Sequence, residues 1–286
     1  MCKIRNEMLY DLHIHSFYSD GEDSFENILK HALKLKIKGF AITDHNGIHP
    51  KIKQIAAKAQ WDGIEVVEGI EISSQTLLKN GNLNLHILGY SPNFNIKILN
   101  KGLKKTVAGY KMRAKKIIKK CQALGIPINY NRLKKQSNEF YISRNTIAQE
   151  IAKYRGINFT EALKLAFIKG EENWFLSPFQ AISLIKQSGG IPVLAHSGKH
   201  TSKLLERTSK SMLEKLIDYG LRGIEVFYPT HNQSETNTLL GIAKNYGLLI
   251  TGGTDYHGLS RPPYVEIGTA GVDYRKFNKF KKALLS

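Results

Sequence analysis

Cysteine is almost absent: Cys2 and Cys121 are the only two in 286 residues. Two cannot build a disulfide framework, and neither sits in a C-x-x-C pair, so a reducing cytoplasm is expected. Long apolar runs are missing as well; none approaches the ~18 residues that a membrane span needs, and no membrane partner is expected. Met1 to Leu9 carries Lys3 and Arg5 with no apolar run behind them, unlike a signal peptide. No Ser or Cys lies in a nucleophile motif, and there is no internal repeat or low-complexity tract. Negative charge is scarce too: 24 Asp and Glu stand against 42 Lys and Arg, a net +18. That excess favours anionic ligands, phosphates and nucleic acid first, and says nothing of the fold.

The length suits one sizeable core, or a core domain with an insertion. Met8 to Leu12 reads as a strand running into a His-x-His pair. A capped helix begins near Asp23-Ser24-Phe25-Glu26 and is closed by Gly39. Phe40 to Thr43 reads as the second strand, Ile48 to Trp61 as a helix, and Ile64 to Val67 as the third strand. Asn80-Gly81 signals a hairpin between Ile72 to Leu78 and Leu83 to Leu88. From Ile96 to Phe175 the pattern is helical, and residues 96–176 hold 18 Lys and Arg against 5 Glu, a net +13. Strand–helix alternation resumes at Ser177-Pro178 with strands Ile191 to Ala195, Gly223 to Phe227 and Leu248 to Thr251, then a closing helix, Tyr274 to Leu285. Repeated βα units imply a parallel sheet, closed or open. The expected division is 1–95 and 177–286 for the two parts of the core, with 96–176 as an inserted basic helical subdomain.

Six of the ten histidines fall in one pattern. His13 and His15 follow the first strand, His45 ends the second, and Glu71 follows the third. His196 follows the Ile191 to Ala195 strand, and Asp255 with His257 follows the last. His86 lies in the second arm of the hairpin. In parallel α/β folds the C-terminal strand ends form the rim where sites are built. A single histidine there ordinarily serves local hydrogen bonding; repetition at successive strand ends, with carboxylates alongside, points to metal. Imidazole and carboxylate suit divalent zinc, manganese or iron. Ions about 3.5–4 Å apart activate water and clamp the oxygens of a displacement at phosphorus.

Asp11-Leu12-His13-Ile14-His15-Ser16, Ser19-Asp20-Gly21 and Thr43-Asp44-His45 resemble the opening motifs of the PHP (polymerase and histidinol phosphatase) superfamily. Gly69-Ile70-Glu71-Ile72-Ser73, Leu85-His86-Ile87-Leu88-Gly89-Tyr90, Ala195-His196-Ser197-Gly198 and Gly253-Thr254-Asp255-Tyr256-His257-Gly258 resemble its later ones, in order. The resemblance implies a distorted (β/α)7 barrel with a small inserted helical subdomain, holding two to three divalent ions (Mn, Zn or Fe). It places His13, His15, Glu71 and Asp255 on one metal and Asp20, His45 and His257 on a second. Glu71 then bridges to a third with His86 and His196, and Glu71, Asp255 and His196 carry the catalytic roles.

Ser-Asp-Gly at Asp20 and an insert after His86 are similar to a nucleotide-directed branch of 3′,5′-nucleoside bisphosphate phosphatases and 5′-to-3′ exonucleases on short RNA. Ser143-Arg144-Asn145-Thr146-Ile147-Ala148 resembles that branch's Arg-x-His-Ile-Ala, with Thr146 in place of His. His196-Ser197-Gly198-Lys199 resembles His-Pro-Gly-Arg, and Tyr228-Pro229-Thr230-His231 another rim motif. Arg144, Lys199 and His231 are therefore the expected phosphate contacts, although a lysine lacks the bidentate fork of arginine, and a hydrogen-bonding loop role suits His231 equally. The Lys-rich insert reads either as a solvated helix face or as a funnel for RNA. The expected activity is metal-dependent hydrolysis of phosphate esters of nucleotides or short oligonucleotides. The alternatives are a histidinol-phosphate-type small-metabolite phosphatase and a nucleic-acid-binding module with a vestigial metal site.

Overall fold

The computed structural model describes residues 9–78, 81–136, 140–168, 174–206, 211–261 and 264–286. Seven strands form one sheet in sequence order: β1 (Tyr10–Ile14), β2 (Gly39–Ile42), β3 (Glu65–Leu78), β4 (Gly81–Tyr90), β5 (Ile191–Leu194), β6 (Gly223–Phe227) and β7 (Leu249–Gly252). The first and last strands approach each other and nearly close a barrel. Ile14 bridges Tyr256, and His15 N donates to Tyr256 O at 2.9 Å. Buried Asp11 draws the two ends together by accepting from Thr254 N (2.9 Å) and Thr254 Oγ1 (2.6 Å).

Around the barrel run α1 (Phe25–Lys34), α2 (Ile52–Trp61), α7 (Pro178–Gln187), α9 (Met212–Tyr219), α10 (Gln233–Asn245) and α11 (Tyr274–Leu285). Between β4 and β5 lie α3 (Ile96–Ala123), α4 (Tyr130–Gln136), α5 (Arg144–Arg155) and α6 (Phe159–Leu165), with no strand among the described residues. A 3-10 turn (Ser197–His200) and α8 (Thr201–Leu205) follow β5. Period-2 alternation sends Leu12, Ala41, Val67, Leu88 and Val193 into one buried cluster and Ile70, Ile72, Leu85, Ile224 and Val226 into another beneath the helices. The helices between β4 and β5 gather a separate apolar cluster from Ile117, Cys121, Ile147, Ile151 and Ala162.

Several expectations shift. The sheet is mixed, because the β3–β4 hairpin has no crossover helix and forces antiparallel pairing, which β4 repeats with β5. The two segments expected around Glu71 are one 14-residue strand, so Glu71 lies inside β3 rather than after a strand. Parallel pairing with β2 nevertheless stops at Ile42↔Glu68, so Glu71 does project past the rim. Helix α1 is capped by Ser24, which accepts from Asn27 N, and ends at Lys34 with Leu35 as its C-cap; Gly39 instead opens β2. Helix α2 starts at Ile52, four residues later than expected. Leu78 pairs with Gly81, which leaves Lys79 and Asn80, the tip of the expected turn, outside the described residues.

Candidate metal centre

β1 carries His13 and delivers His15 one residue past its end, so both imidazoles turn to one side. Their Nε2 atoms lie 3.1 Å apart. Both face Asp255 Oδ1, at 3.2 and 3.0 Å, and Glu71 Oε2, at 3.5 and 3.1 Å. A second group forms around Asp20 Oδ1, with His257 Nε2 at 3.3 Å and both His45 Nε2 and His15 Nδ1 at 3.9 Å. The loop that presents Asp20 doubles back so tightly that a Cβ on Gly21 would overlap the His15 carbonyl. A third group meets at Glu71: Oε1 lies 2.9 Å from His86 Nδ1 and 3.1 Å from His196 Nε2, and Oε2 lies 3.0 Å from His45 Nδ1. His86 reaches the rim because β4 runs against its neighbours, which brings its early residues to the end where parallel strands finish.

All nine expected ligands therefore converge. In each of three sets, one donor atom per residue lies within 4.8 Å of the others: His13, His15, Glu71 and Asp255; His15, Asp20, His45 and His257; and His45, Glu71 and His86. The grouping departs from expectation at the seams. His15 also borders the second set, His45 also enters the third, and His196 lies outside the three sets, against Glu71 (3.1 Å) and the His86 ring (5.1 Å between centroids).

The cluster is electrostatically incomplete by itself. Four of its buried atoms, His15 Nδ1, His45 Nδ1, Glu71 Oε2 and Asp255 Oδ1, have no partner in hydrogen-bonding geometry, although His45 Nδ1 and Glu71 Oε2 stand 3.0 Å apart. Each such atom ordinarily costs about 1–3 kcal/mol, so their concentration in one cluster fits a site built around cations. Burial pushes an imidazole toward neutrality, yet Asp255 and Glu71 lift His15 to about 10. Glu225, Asp255 and Glu71 likewise overcome burial and hold His13 well above its ordinary value. His45 goes the other way, and burial takes it down to about 4. Burial would raise Glu71 and Asp255, but the surrounding histidines keep both far below the usual carboxylate range. Ionised Glu71 and Asp255 thus face protonated His13 and His15, with His45 neutral beside them, and the donor types suit zinc, manganese or iron.

Behind the ligands stands a layer to which sequence reasoning gave no role. Asp44 accepts from Ser16 N (2.9 Å), Ser16 Oγ (2.7 Å) and Ser19 Oγ (2.6 Å), which fixes the loop leading to Asp20. Tyr228 donates from its hydroxyl to Asp255 Oδ2 at 3.0 Å. Glu225 lies 3.0 Å from His13 Nδ1. Its only signal in sequence is a lone carboxylate in an otherwise apolar strand.

The expected phosphate contacts divide. Arg144 is exposed at the first turn of α5, next to Asn145, whose Nδ2 donates to Asp20 Oδ2 at 2.9 Å. The Lys199 side chain lies outside the described residues. His231 fits the hydrogen-bonding loop role: Nδ1 donates to Val226 O at 2.9 Å, and Nε2 accepts from Gly198 N at 3.0 Å. With both nitrogens on the backbone, its ring braces the turn after His196.

Two lysines of α3, Lys101 and Lys119, face away from the centre. Tyr110 leans on Tyr141 (4.7 Å between ring centroids), and Tyr141 OH donates to His45 O at 3.5 Å. At 3.6 residues per turn, Lys101 and Lys119, each nine residues from Tyr110, project from the opposite side. Lys120 caps backbone instead, donating to Leu165 O and Phe167 O. A solvated helix face is the reading this orientation supports. A groove of about 650 Å³ between α2 and α11, lined by Ala56, Val66, Glu68 and Leu284 among others, includes none of the nine ligands.

The sequence pattern of the PHP domain family matches residues 11–219. A phosphoribosyl 1,2-cyclic phosphate 1,2-diphosphodiesterase of Eggerthella lenta is 27% identical, over 90% of this chain and 98% of its own length. A 5′-3′ exoribonuclease of Escherichia coli is 24% identical, over 91% of this chain and 88% of its own. A solved structure from Bifidobacterium adolescentis, named a candidate metal-dependent phosphoesterase, covers 94% of both chains with a TM-score of 0.76 at 24% identity, a likeness of fold. No helix among the described residues is long and apolar enough to cross a membrane.

Proposed function

Because the chain belongs to the PHP domain family, we propose that it is a metal-dependent phosphoesterase hydrolysing phosphate esters of nucleotides or short oligonucleotides. The observation that carries this reading is the sharing of Glu71. One buried carboxylate lies within 3.5 Å of His13, His15, His45, His86 and His196, an arrangement suited to adjacent cations. Two to three divalent ions (Mn, Zn or Fe) fit: one on His13, His15, Glu71 and Asp255, one on Asp20, His45 and His257, and one on Glu71, His86 and His196. Such ions supply a water-derived nucleophile near neutral pH and neutralise charge that builds on the phosphorus oxygens.

The chain's own residues do the rest. Glu71, Asp255 and His196 set the reacting centre. Arg144 orients the substrate phosphate from the opening turn of α5. The complete donor set weighs against a vestigial site. A phosphorylated ribose is common to nucleotides and to the substrate named for the Eggerthella lenta relative, and a cyclic ribose phosphate is the second reading.

Manganese-loaded protein should release phosphate from adenosine 3′,5′-bisphosphate or nucleotides from 5′-phosphorylated short RNA. Phosphoribosyl 1,2-cyclic phosphate and histidinol phosphate belong in the same assay. Turnover of either of those alone would displace the nucleotide reading, and turnover of none would remove the phosphoesterase reading.

A further inference from the structure

We infer that Glu225 is a positioning residue that sets His13 and His196 for metal binding, an inference that rests on the metal reading above. β6 alternates: Ile224 and Val226 pack beneath the helices, and Glu225 points into the barrel, fully buried. A buried carboxylate is costly unless paired, and this one spends its two oxygens separately. Oε1 lies 3.0 Å from His13 Nδ1, and Oε2 accepts the His196 backbone N–H at 2.7 Å. Glu225 is in none of the three donor sets, so it acts through the ligands.

Each contact has a consequence. Holding His13 Nδ1–H on Glu225 leaves Nε2 for the set formed with His15, Glu71 and Asp255, the carboxylate–histidine–metal relay that orients ligand rings. His196 has φ +25° and ψ +47°, a strained conformation for a residue with a side chain. Glu225 Oε2 holds its N–H in that shape while its Nε2 stands 3.1 Å from Glu71 Oε1. One carboxylate therefore ties His13 of the first set to His196, which stands against Glu71, from below.

Glu225→Gln keeps the volume but offers one acceptor and one donor where two acceptors are needed. Its amide must face either His13 Nδ1–H or His196 N–H with a donor. Metal-free wild type and Glu225→Gln would be titrated calorimetrically with Mn²⁺ and with Zn²⁺, and their metal-free melting compared. The expected result is about 10–100-fold weaker binding of the ions proposed at His13 and at His196. The Asp20–His45–His257 set, which Glu225 does not touch, keeps its affinity. Equal affinities in the two proteins would overturn the inference, and so would uniform weakening at every step accompanied by a lower metal-free melting temperature.

A second measurement needs no variant. Nitrogen-15 NMR of zinc-loaded wild type should show His13 protonated at Nδ1, and protonation at Nε2 would overturn the inference. A wild type that takes up no divalent metal would remove the metal reading itself, a result distinct from those that overturn Glu225 alone.

Discussion

Asn145, the second residue of α5, donates from Nδ2 to Asp20 Oδ2 at 2.9 Å, while Asp20 Oδ1 faces His257 at 3.3 Å. A helix inserted between β4 and β5 thus holds the outer oxygen of a carboxylate at the barrel rim. The neighbouring contacts point the same way: Gln149 Nε2 donates to Glu22 Oε1, and Arg261 Nη2 donates to Gln149 Oε1. Asn145→Ala leaves Asp20 free to rotate and is expected to weaken the cation at Asp20, His45 and His257 by about 10–100-fold. Binding at His13 and His15 should be unaffected. Metal content after dialysis against graded chelator would show one class of ion lost early, and an unchanged profile would mean that Asp20 needs no help from α5.

How far the chain could be read without its structure follows from what each residue depends on. The convergence of the nine candidate ligands was legible because metal donors are rare types and recur beside strand ends. Glu225 was not, since a carboxylate in a strand gains its meaning only from what lies across the barrel, 212 residues away at His13. The antiparallel setting of β4 was legible at its hairpin but not at β5, a pairing made across the helices that separate the two strands. For His231 the motif left a phosphate contact and a hydrogen-bonding loop role equally open, and only coordinates show both of its nitrogens spent on backbone. The placement of Asn145 likewise depends on how α5 docks, which no local pattern encodes.

Proton and metal compete at the first set. His15 is held at about 10, against 6.5 for an unperturbed histidine, by Asp255 and Glu71 in spite of burial. A folded value above the unfolded one means the pairing stabilises the metal-free protein in full below about pH 6.5 and is lost as pH rises through about 10. The metal-free protein should therefore melt at steadily lower temperature across that window. A loaded protein, whose ligating imidazoles are already deprotonated, should not show this decline. Apparent metal affinity should rise over the same window, because His13 and His15 must shed protons to bind. Thermal melts with and without Mn²⁺ from pH 6.5 to 10 check this, and parallel pH profiles for the two forms would contradict it.

His231 and Gly198 are expected to answer for each other. The ring accepts Gly198 N–H, and a Cβ on Gly198 would overlap its Cδ2 and Nε2. Gly198→Ala must therefore displace the ring, an overpacking cost of about 1–3 kcal/mol. His231→Ala forfeits two hydrogen bonds, at about 0.5–1.5 kcal/mol each. In the double variant the new methyl occupies space the ring has vacated, so its destabilisation should fall short of the sum by about 0.5–3 kcal/mol, the range for residues in direct contact. Neither residue is a ligand, so all three variants should load metal as wild type does, and urea unfolding of the loaded proteins isolates the coupling. Strict additivity would show that the turn after His196 is held by something other than this ring.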